Sequence, residues 1–448
     1  MRSGRLAAHT RLPATRVLAG DLKISRRLVV DVYAQLLAEG YLLARGGSGT
    51  FVAAGAGTAS PPGSEPAPRA LAFDFFPGNP DLSGFPRGPW LRVLRATLRE
   101  APDSAFGYPD PRGAPELRRA LAGHLRRVRG VVADPGSIVV CSGAAQGFAL
   151  IARALAGALL AVEDPGLAMH RAILAEHGAS LIGLPVDEHG ARVGELADLA
   201  AAHGPIAAAL VTPAHQSPTG VALAPSRRAQ LLAWAADTDG LIVEDDYDAE
   251  YRYDRQPLAA LQGLAPERVL YMGTVSKTLA PAIRLGWLVP PAGLLERVVE
   301  QKMLADHGSP TIDQLALSRL IDGGGYDRHL RQARRRYRAR RDALVAAVAA
   351  QLPGAGVTGV AAGLHAIVRL SHEVDGIALM RAAARRSVGV YPLGYAFIEP
   401  RTRHDSLVLG YANLAEPAIE EGIRRLAEAL AEMPAEPAPT NDGGAIAR

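Results

Sequence analysis

Seven short apolar runs limit this chain more than any other feature: residues 137–142, 158–163, 179–186, 206–212, 241–244, 269–273 and 285–289. Each is bounded by Gly, Pro or Asp, and most are followed by a helix-compatible stretch. Parallel strands need a crossover between them, and the helices that supply it cover both faces of the sheet, so the strands read as continuous apolar runs. The expectation is an α/β domain built on a mostly parallel, seven-stranded sheet. From about residue 310 the pattern turns to long Arg- and Ala-rich helices with fewer strands, which predicts a smaller α+β domain at the C-terminal end. A chain of 448 residues has room for two or three such units.

Composition marks the boundaries. Residues 54–70 are rich in Pro, Gly and Ser and read as a linker, and 433–448 read as a disordered tail. The expected domains are therefore a head at 1–53 and a body at 71–432. The head holds eight basic and three acidic residues, a net +5, while the whole chain carries +4 and the remainder −1. A basic head on a near-neutral body points to an anionic partner for the head. Residues 11–22 read as a helix capped by Thr15, 23–25 as a tight turn, 26–40 as a second helix and 41–52 as a two-stranded wing with a Gly turn. Arg26 and Arg27 open the second helix, a position that faces base edges in a major groove. A small protein-contact module with solvated arginines has the same pattern. No uninterrupted apolar stretch reaches spanning length, and Met1-Arg-Ser-Gly shows no signal-peptide core. The single Cys141, read as a small buried apolar residue, excludes an internal disulfide and a cysteine-built zinc site, and fits a reducing, cytoplasmic setting.

Of forty-nine basic residues only Lys23, Lys277 and Lys302 are lysines. Arg serves for surface charge and phosphate contacts. A lysine is needed where an amine must lose its proton and attack a carbonyl. Lys277 lies in Tyr271-Met-Gly-Thr-Val-Ser-Lys-Thr-Leu-Ala-Pro-Ala-Ile-Arg-Leu-Gly-Trp287, after an apolar strand and seven residues before Arg284. A surface lysine is the plain alternative. Ligands of an open parallel sheet bind beyond the carboxyl ends of its strands, and other strand ends carry suitable groups. Val140-Cys-Ser-Gly-Ala-Ala-Gln146 runs through a Gly turn into a helix start able to hold a phosphate. In Glu244-Asp-Asp-Tyr247 a carboxylate could pair with a protonated pyridine nitrogen, or cap a helix. Thr212-Pro-Ala-His-Gln-Ser-Pro-Thr-Gly220 ends a further strand.

With these segments in this order, residues 71–432 resemble the fold-type I, pyridoxal-phosphate-dependent aminotransferases. The resemblance implies pyridoxal 5′-phosphate held as a Schiff base on Lys277, with Asp245 at the pyridine nitrogen and Tyr247 at the phenolic oxygen. It also implies that Thr274, Ser276, Arg284 and the backbone of Gly143, Ala144 and Ala145 hold the phosphate. Phe106-Gly-Tyr-Pro-Asp-Pro-Arg-Gly113 is similar to the segment whose tyrosine, here Tyr108, reaches the phosphate of the neighbouring subunit, which implies a head-to-tail homodimer. Three positions depart from the pattern. Leu167 replaces a ring-stacking Tyr, Ser217 an Asn at the cofactor, and Val408 the Arg that grips a substrate α-carboxylate, with Arg369, Arg401 and Arg403 as conceivable substitutes.

Leu12-Pro-Ala-Thr-Arg16 and Glu39-Gly-Tyr-Leu42 resemble the GntR-type winged helix, which implies DNA contacts by Arg16, Arg26 and Arg45, with Ser25 and Arg27 beside them. Head and body together resemble the MocR/GabR family of bacterial regulators. The expected function is an operator-binding transcription regulator that senses a small amine effector or pyridoxal phosphate itself. A working aminotransferase with a vestigial head is the alternative. A winged helix of this type opens with a helix packed across the other two, and Met1-Arg-Ser-Gly-Arg-Leu6 resembles only its tail. A start codon upstream is therefore expected, with Val17, Leu18, Leu22, Val29, Val32 and Leu36 lacking a cover here. The run 328–341, dense in Arg, reads as an exposed helix with a solvated face or a supporting DNA contact.

Overall fold

The computed structural model describes residues 6–45, 47–54, 71–253 and 258–433, and divides the chain into two units, Met1–Ala70 and Leu71–Arg448. Most of the expected linker (55–70), nearly all of the tail (434–448) and residues 1–5 lie outside the described residues.

In the head, helices Thr15–Leu22 and Arg26–Ala38 precede an antiparallel pair, Leu42–Arg45 with Gly49–Val52. Thr15 is the first helical residue rather than the cap; Ala14 stands at the cap in extended conformation and gives no side-chain bond. Pro13 disfavours helical dihedrals at Leu12, which keeps the first residues of the expected 11–22 segment out of the helix. Ala19, Val29, Tyr33, Leu42 and Val52 form the small core, and the Tyr33 hydroxyl donates to Pro13 O at 2.9 Å. Val17, Leu22 and Val32 are exposed, whereas Val29 is buried.

In the body, all seven expected strands form, joined by an eighth. Across the sheet the order is Val139–Cys141, Gly286–Val289, Val269–Thr274, Leu241–Asp246, Ile206–Val211, Leu159–Asp164, Ser180–Asp187 and Gly190–Ala191. The eighth is a two-residue return strand, turned by Gly190 at φ +91° and too short to register as an apolar run. Only it and Gly286–Val289 run against the rest. Val269–Thr274 is buried at every position, as a strand covered on both faces must be. The carboxyl ends of the parallel strands thus open on one side.

The C-terminal part is a four-stranded antiparallel sheet, ordered Gly356–Thr358, His365–Asp375, Arg403–Gly410, Tyr391–Pro392, with helices Gly325–Gln351, Gly376–Arg385 and Glu416–Ala431. One apolar cluster running from Phe75 to Ala429 joins it to the larger part. The arginine run differs from its expectation. Arg340 and Arg341 are buried, Arg336 and Arg340 pair with Asp81 at 3.3 and 3.2 Å, and Arg334 donates to Glu250 O. Only part of the run, including Arg328, Arg331, Arg335 and Arg338, faces solvent. Among the described residues no helix is long and apolar enough to cross a membrane.

Candidate functional site

Lys277 follows the strand Val269–Thr274 at its carboxyl end. Gly78, at φ +82°, lies so close that a Cβ there would sit 3.2 Å from Lys277 Nζ. Burial lowers the pKa of this amine against the opposing pull of Asp248 and Asp245. A lysine amine held this way deprotonates more readily.

Asp245 and Tyr247 stand at the end of the neighbouring strand, Leu241–Asp246. Asp245 is buried, its Oδ2 lies 3.9 Å from His170 Nδ1, and its Oδ1 has no hydrogen-bond partner among the described residues. Burial, with Asp246, Asp248 and Glu163 nearby, raises its pKa well above the usual carboxylate range. An unanswered buried carboxylate needs a cation or a donor. His170 was not foreseen. It lies in the first turn of the helix Ala168–Glu176, which Leu167 precedes in extended conformation, its ring 4.2 Å from that of Phe148, and burial pushes its pKa down to about 3. Leu167, His170, Thr212, Ser217 and Asp245 line one cleft.

The Tyr247 hydroxyl lies 3.0 Å from His215 Nδ1, which lies 3.0 Å from Asp248 Oδ2, all three residues being buried. Burial works against the His215 charge, and Asp248 overcomes it, so the His215 pKa is raised. With Nδ1–H donated toward Asp248, the Tyr247 oxygen is left to accept, which frees its own proton for a ligand. The Ser217 hydroxyl also bonds to Tyr247. Gly363 makes room for His215, since a Cβ there would overlap the imidazole ring. His215 lies in the motif that ends its strand, but its position in the sequence pointed to no role. Glu163, at the end of Leu159–Asp164, accepts from Thr212 Oγ1 at 2.5 Å and from Gln216 Nε2 at 3.2 Å; burial pushes its pKa up to about 7.

A second group converges on the helix Ala144–Ala154, whose N-terminus has no side-chain cap. Gly143 precedes it at φ 82°, a conformation that favours glycine. Arg284 donates to Ser142 O at 2.5 Å, and a Cβ on Gly143 would lie 3.1 Å from the guanidinium. Among the described residues no carboxylate pairs with Arg284. Thr274 donates to Leu285 O at 3.1 Å, and its oxygen accepts from Ser276 N at 3.1 Å and lies 2.9 Å from Ser276 Oγ. Thr274 thereby orients Ser276. Uncapped N–H groups of Ala144 and Ala145, with an unneutralised guanidinium, form a cradle for an anion. The lysine, the bare carboxylate and this cradle fit the amine-reactive, basic and phosphorylated parts of pyridoxal phosphate.

Val408 is buried on the strand Arg403–Gly410, packed with Ile367 and Leu393. Arg369 is bound to Asp405 at the surface, Arg401 lies 3.9 Å over the Phe397 ring, and Arg403 is exposed. Tyr108 is 94 % exposed beside His307 and turns away from its own chain's interior.

In the head, the Ser25 hydroxyl caps the second helix by accepting from Leu28 N at 3.2 Å. Arg16, Arg26 and Arg27 are exposed on the helices, and Arg45 on the wing lies 5.3 Å over the Phe51 ring.

Residues 79–426 match the family of class I and II aminotransferases, and residues 1–52 match the bacterial regulatory proteins of the gntR family. The chain is 34 % identical to a probable rhizopine catabolism regulatory protein, MocR, of Rhizobium meliloti, over 96 % of this chain and 91 % of that one. It is 32 % identical to the pyridoxine biosynthesis transcriptional regulator PdxR of Corynebacterium glutamicum, over 94 % and 91 %. The kynurenine aminotransferase structure from Pyrococcus horikoshii superposes with a TM-score of 0.75 at 28 % identity, covering 80 % of this chain and 91 % of that one.

Proposed function

The chain belongs to the MocR-type transcription regulators, a gntR-family head fused to an aminotransferase class I and II body, and we propose that the body works as a sensor rather than as a transaminase. The head binds DNA and the body binds pyridoxal phosphate. When bound, the cofactor supplies an aldehyde for a lysine amine and an electron-withdrawing ring. Lys277 takes the aldehyde, its amine kept reactive by burial. Asp245 turns its unpartnered oxygen to the ring nitrogen, and Tyr247, oriented by His215 and Ser217, donates to the phenolic oxygen. Arg284, Ser276 and the N–H groups of Gly143, Ala144 and Ala145 take the phosphate, with Thr274 behind them. Tyr108 completes the phosphate site of a second copy in a head-to-tail dimer.

The effector is a small amine or the cofactor itself, and it acts through its difference in affinity between two arrangements of head and body. The name of the Corynebacterium relative, a pyridoxine biosynthesis regulator, favours the cofactor as one such ligand. The regulator works in the cytoplasm, where its operator lies.

One observation carries the sensor reading: the lysine-centred constellation is complete while the apolar Val408 stands where a carboxylate anchor would be. Losing such a charged hydrogen bond costs about 1.5–3 kcal/mol, roughly one to two decades of binding. Purified protein is expected to show a visible band that is trapped by borohydride, absent in Lys277→Ala, and accompanied by little or no turnover of common amino acids with a keto acid. Rapid multiple turnover would overturn the sensor reading in favour of a working aminotransferase. A colourless wild type that ignores added cofactor would overturn the site assignment.

A further inference from the structure

Three lysines survive among forty-nine basic residues, and the site explains one of them. Lys23 is an exposed left-handed residue at the end of the first head helix. Lys302, on the helix Ala292–Asp306, is wholly buried. Its Nζ lies 2.6 Å from Asp306 Oδ2, 2.8 Å from Ser309 Oγ and 2.9 Å from Gln146 Oε1. An ammonium has three N–H donors on one atom, and here three oxygens converge on that atom. A guanidinium spreads its donors over a flat fork and cannot meet three oxygens gathered round a point. This geometry accounts for a lysine in a chain that otherwise uses arginine.

The same oxygens lead in two directions. Gln146 Oε1 also accepts from Ser142 N at 2.8 Å, and Gln146 Nε2 donates to Asp306 Oδ2 at 2.8 Å. Ser142 is therefore held at its N–H by Gln146 and at its carbonyl by Arg284, immediately before Gly143. On the other side, Ser309 O accepts from Gln314 Nε2 at 2.8 Å, and Gln314 Oε1 accepts from Ala114 N at 2.8 Å. Gly308 lies against Pro109, next to Tyr108, with no space for a Cβ.

We infer that Lys302 is a positioning residue for the phosphate end of the site: through Gln146 it fixes the Ser142–Gly143 turn and Arg284, and through Ser309 it sets the base of the segment that presents Tyr108. The inference rests on the reading that the body binds a phosphorylated pyridoxal. A structural role alone would weaken all ligands together, whereas a phosphate-positioning role discriminates between pyridoxal phosphate and unphosphorylated pyridoxal.

The test titrates full-length wild type, Lys302→Met and Lys302→Arg with each compound, followed by visible absorbance, and reads thermal protection by inorganic phosphate without cofactor. Lys302→Met is expected to weaken pyridoxal phosphate by about tenfold or more, to leave pyridoxal nearly unchanged and to lose phosphate protection. Lys302→Arg is expected not to rescue. Gln146→Met, which leaves Lys302 its bonds to Asp306 and Ser309, is expected to show the same selective loss and serves if Lys302→Met does not fold. Equal weakening of both compounds, or none, in Gln146→Met or in a folded Lys302→Met overturns the inference. Full rescue by Arg overturns it too. A wild type that binds both compounds equally well overturns the phosphate reading, and the inference with it.

Discussion

Glu163, Glu244, Asp245, Asp246 and Asp248 are all buried at or just beyond the carboxyl ends of Leu159–Asp164 and Leu241–Asp246. Asp246 has Arg129 at 2.6 Å and Asp248 has His215, while among the described residues Glu244 accepts from the Leu261 and Gln262 N–H groups, each at 3.0 Å, with Arg129 and Arg228 acting on it from nearby. Burial pushes Glu163 and Glu244 up from 4.5 to about 7. Between those values the folded chain holds protons that the unfolded chain has lost, so their contribution is complete at the acid end and disappears as pH rises through about 7. His124 and His365, pushed down to about 4, and His170, at about 3, act in the opposite sense, losing stability as pH falls. The informative quantity is therefore the difference between wild type and Glu163→Gln in melting temperature across that window. The substitution keeps an acceptor for Thr212, and its relative stability is expected to rise with pH; parallel curves would show that Glu163 titrates normally. His215→Leu leaves Asp248 buried and unpaired, an expected loss of about 3–5 kcal/mol. Adding Asp248→Asn is expected to recover part of it in denaturant unfolding, and strict additivity would contradict the pairing.

At the scale of the element, the second head helix depends on its first turn. Ser25→Ala is expected to cost about 1 kcal/mol, and Ser25→Gly only a few tenths, read as protease resistance of the head in the full chain. Arg26→Ala and Arg27→Ala are expected to weaken binding to the upstream DNA, and to flatten the logarithmic salt dependence by about 0.9 for each phosphate no longer neutralised. Unchanged affinity in both would turn the head toward a protein partner. Seven strands of the large sheet were legible in advance because each is a local apolar run closed by a breaker. The return strand Gly190–Ala191 was not, because two residues carry no period. The long helix Gly325–Gln351 was legible as a helix, yet its composition concealed that Arg340 points inward to Asp81.

For the whole molecule, the exposure of Tyr108 makes subunit exchange the decisive experiment. If Tyr108 serves the partner's phosphate, Lys277→Ala and Tyr108→Ala chains, each poor alone, form hybrids with one intact site. Mixed and re-equilibrated, they are expected to regain tight cofactor binding in the hybrid fraction. A mixture no better than its components would confine each site to one chain.

Residue types and local order were enough to assign the parallel sheet, the winged head, and the strand ends bearing Lys277, Asp245, Tyr247 and Arg284. Those features are written in short windows, where period, breakers and side-chain chemistry coincide. The network around them was decided only in three dimensions. His170 is neutral because it is buried beside Phe148, and the His215 pKa is raised because Asp248, 33 residues further along the chain, faces it. Lys302 meets Gln146 across 156 residues of chain. Burial and long-range pairing set the charge state and orientation of a side chain, and neither is a property of its neighbours in sequence.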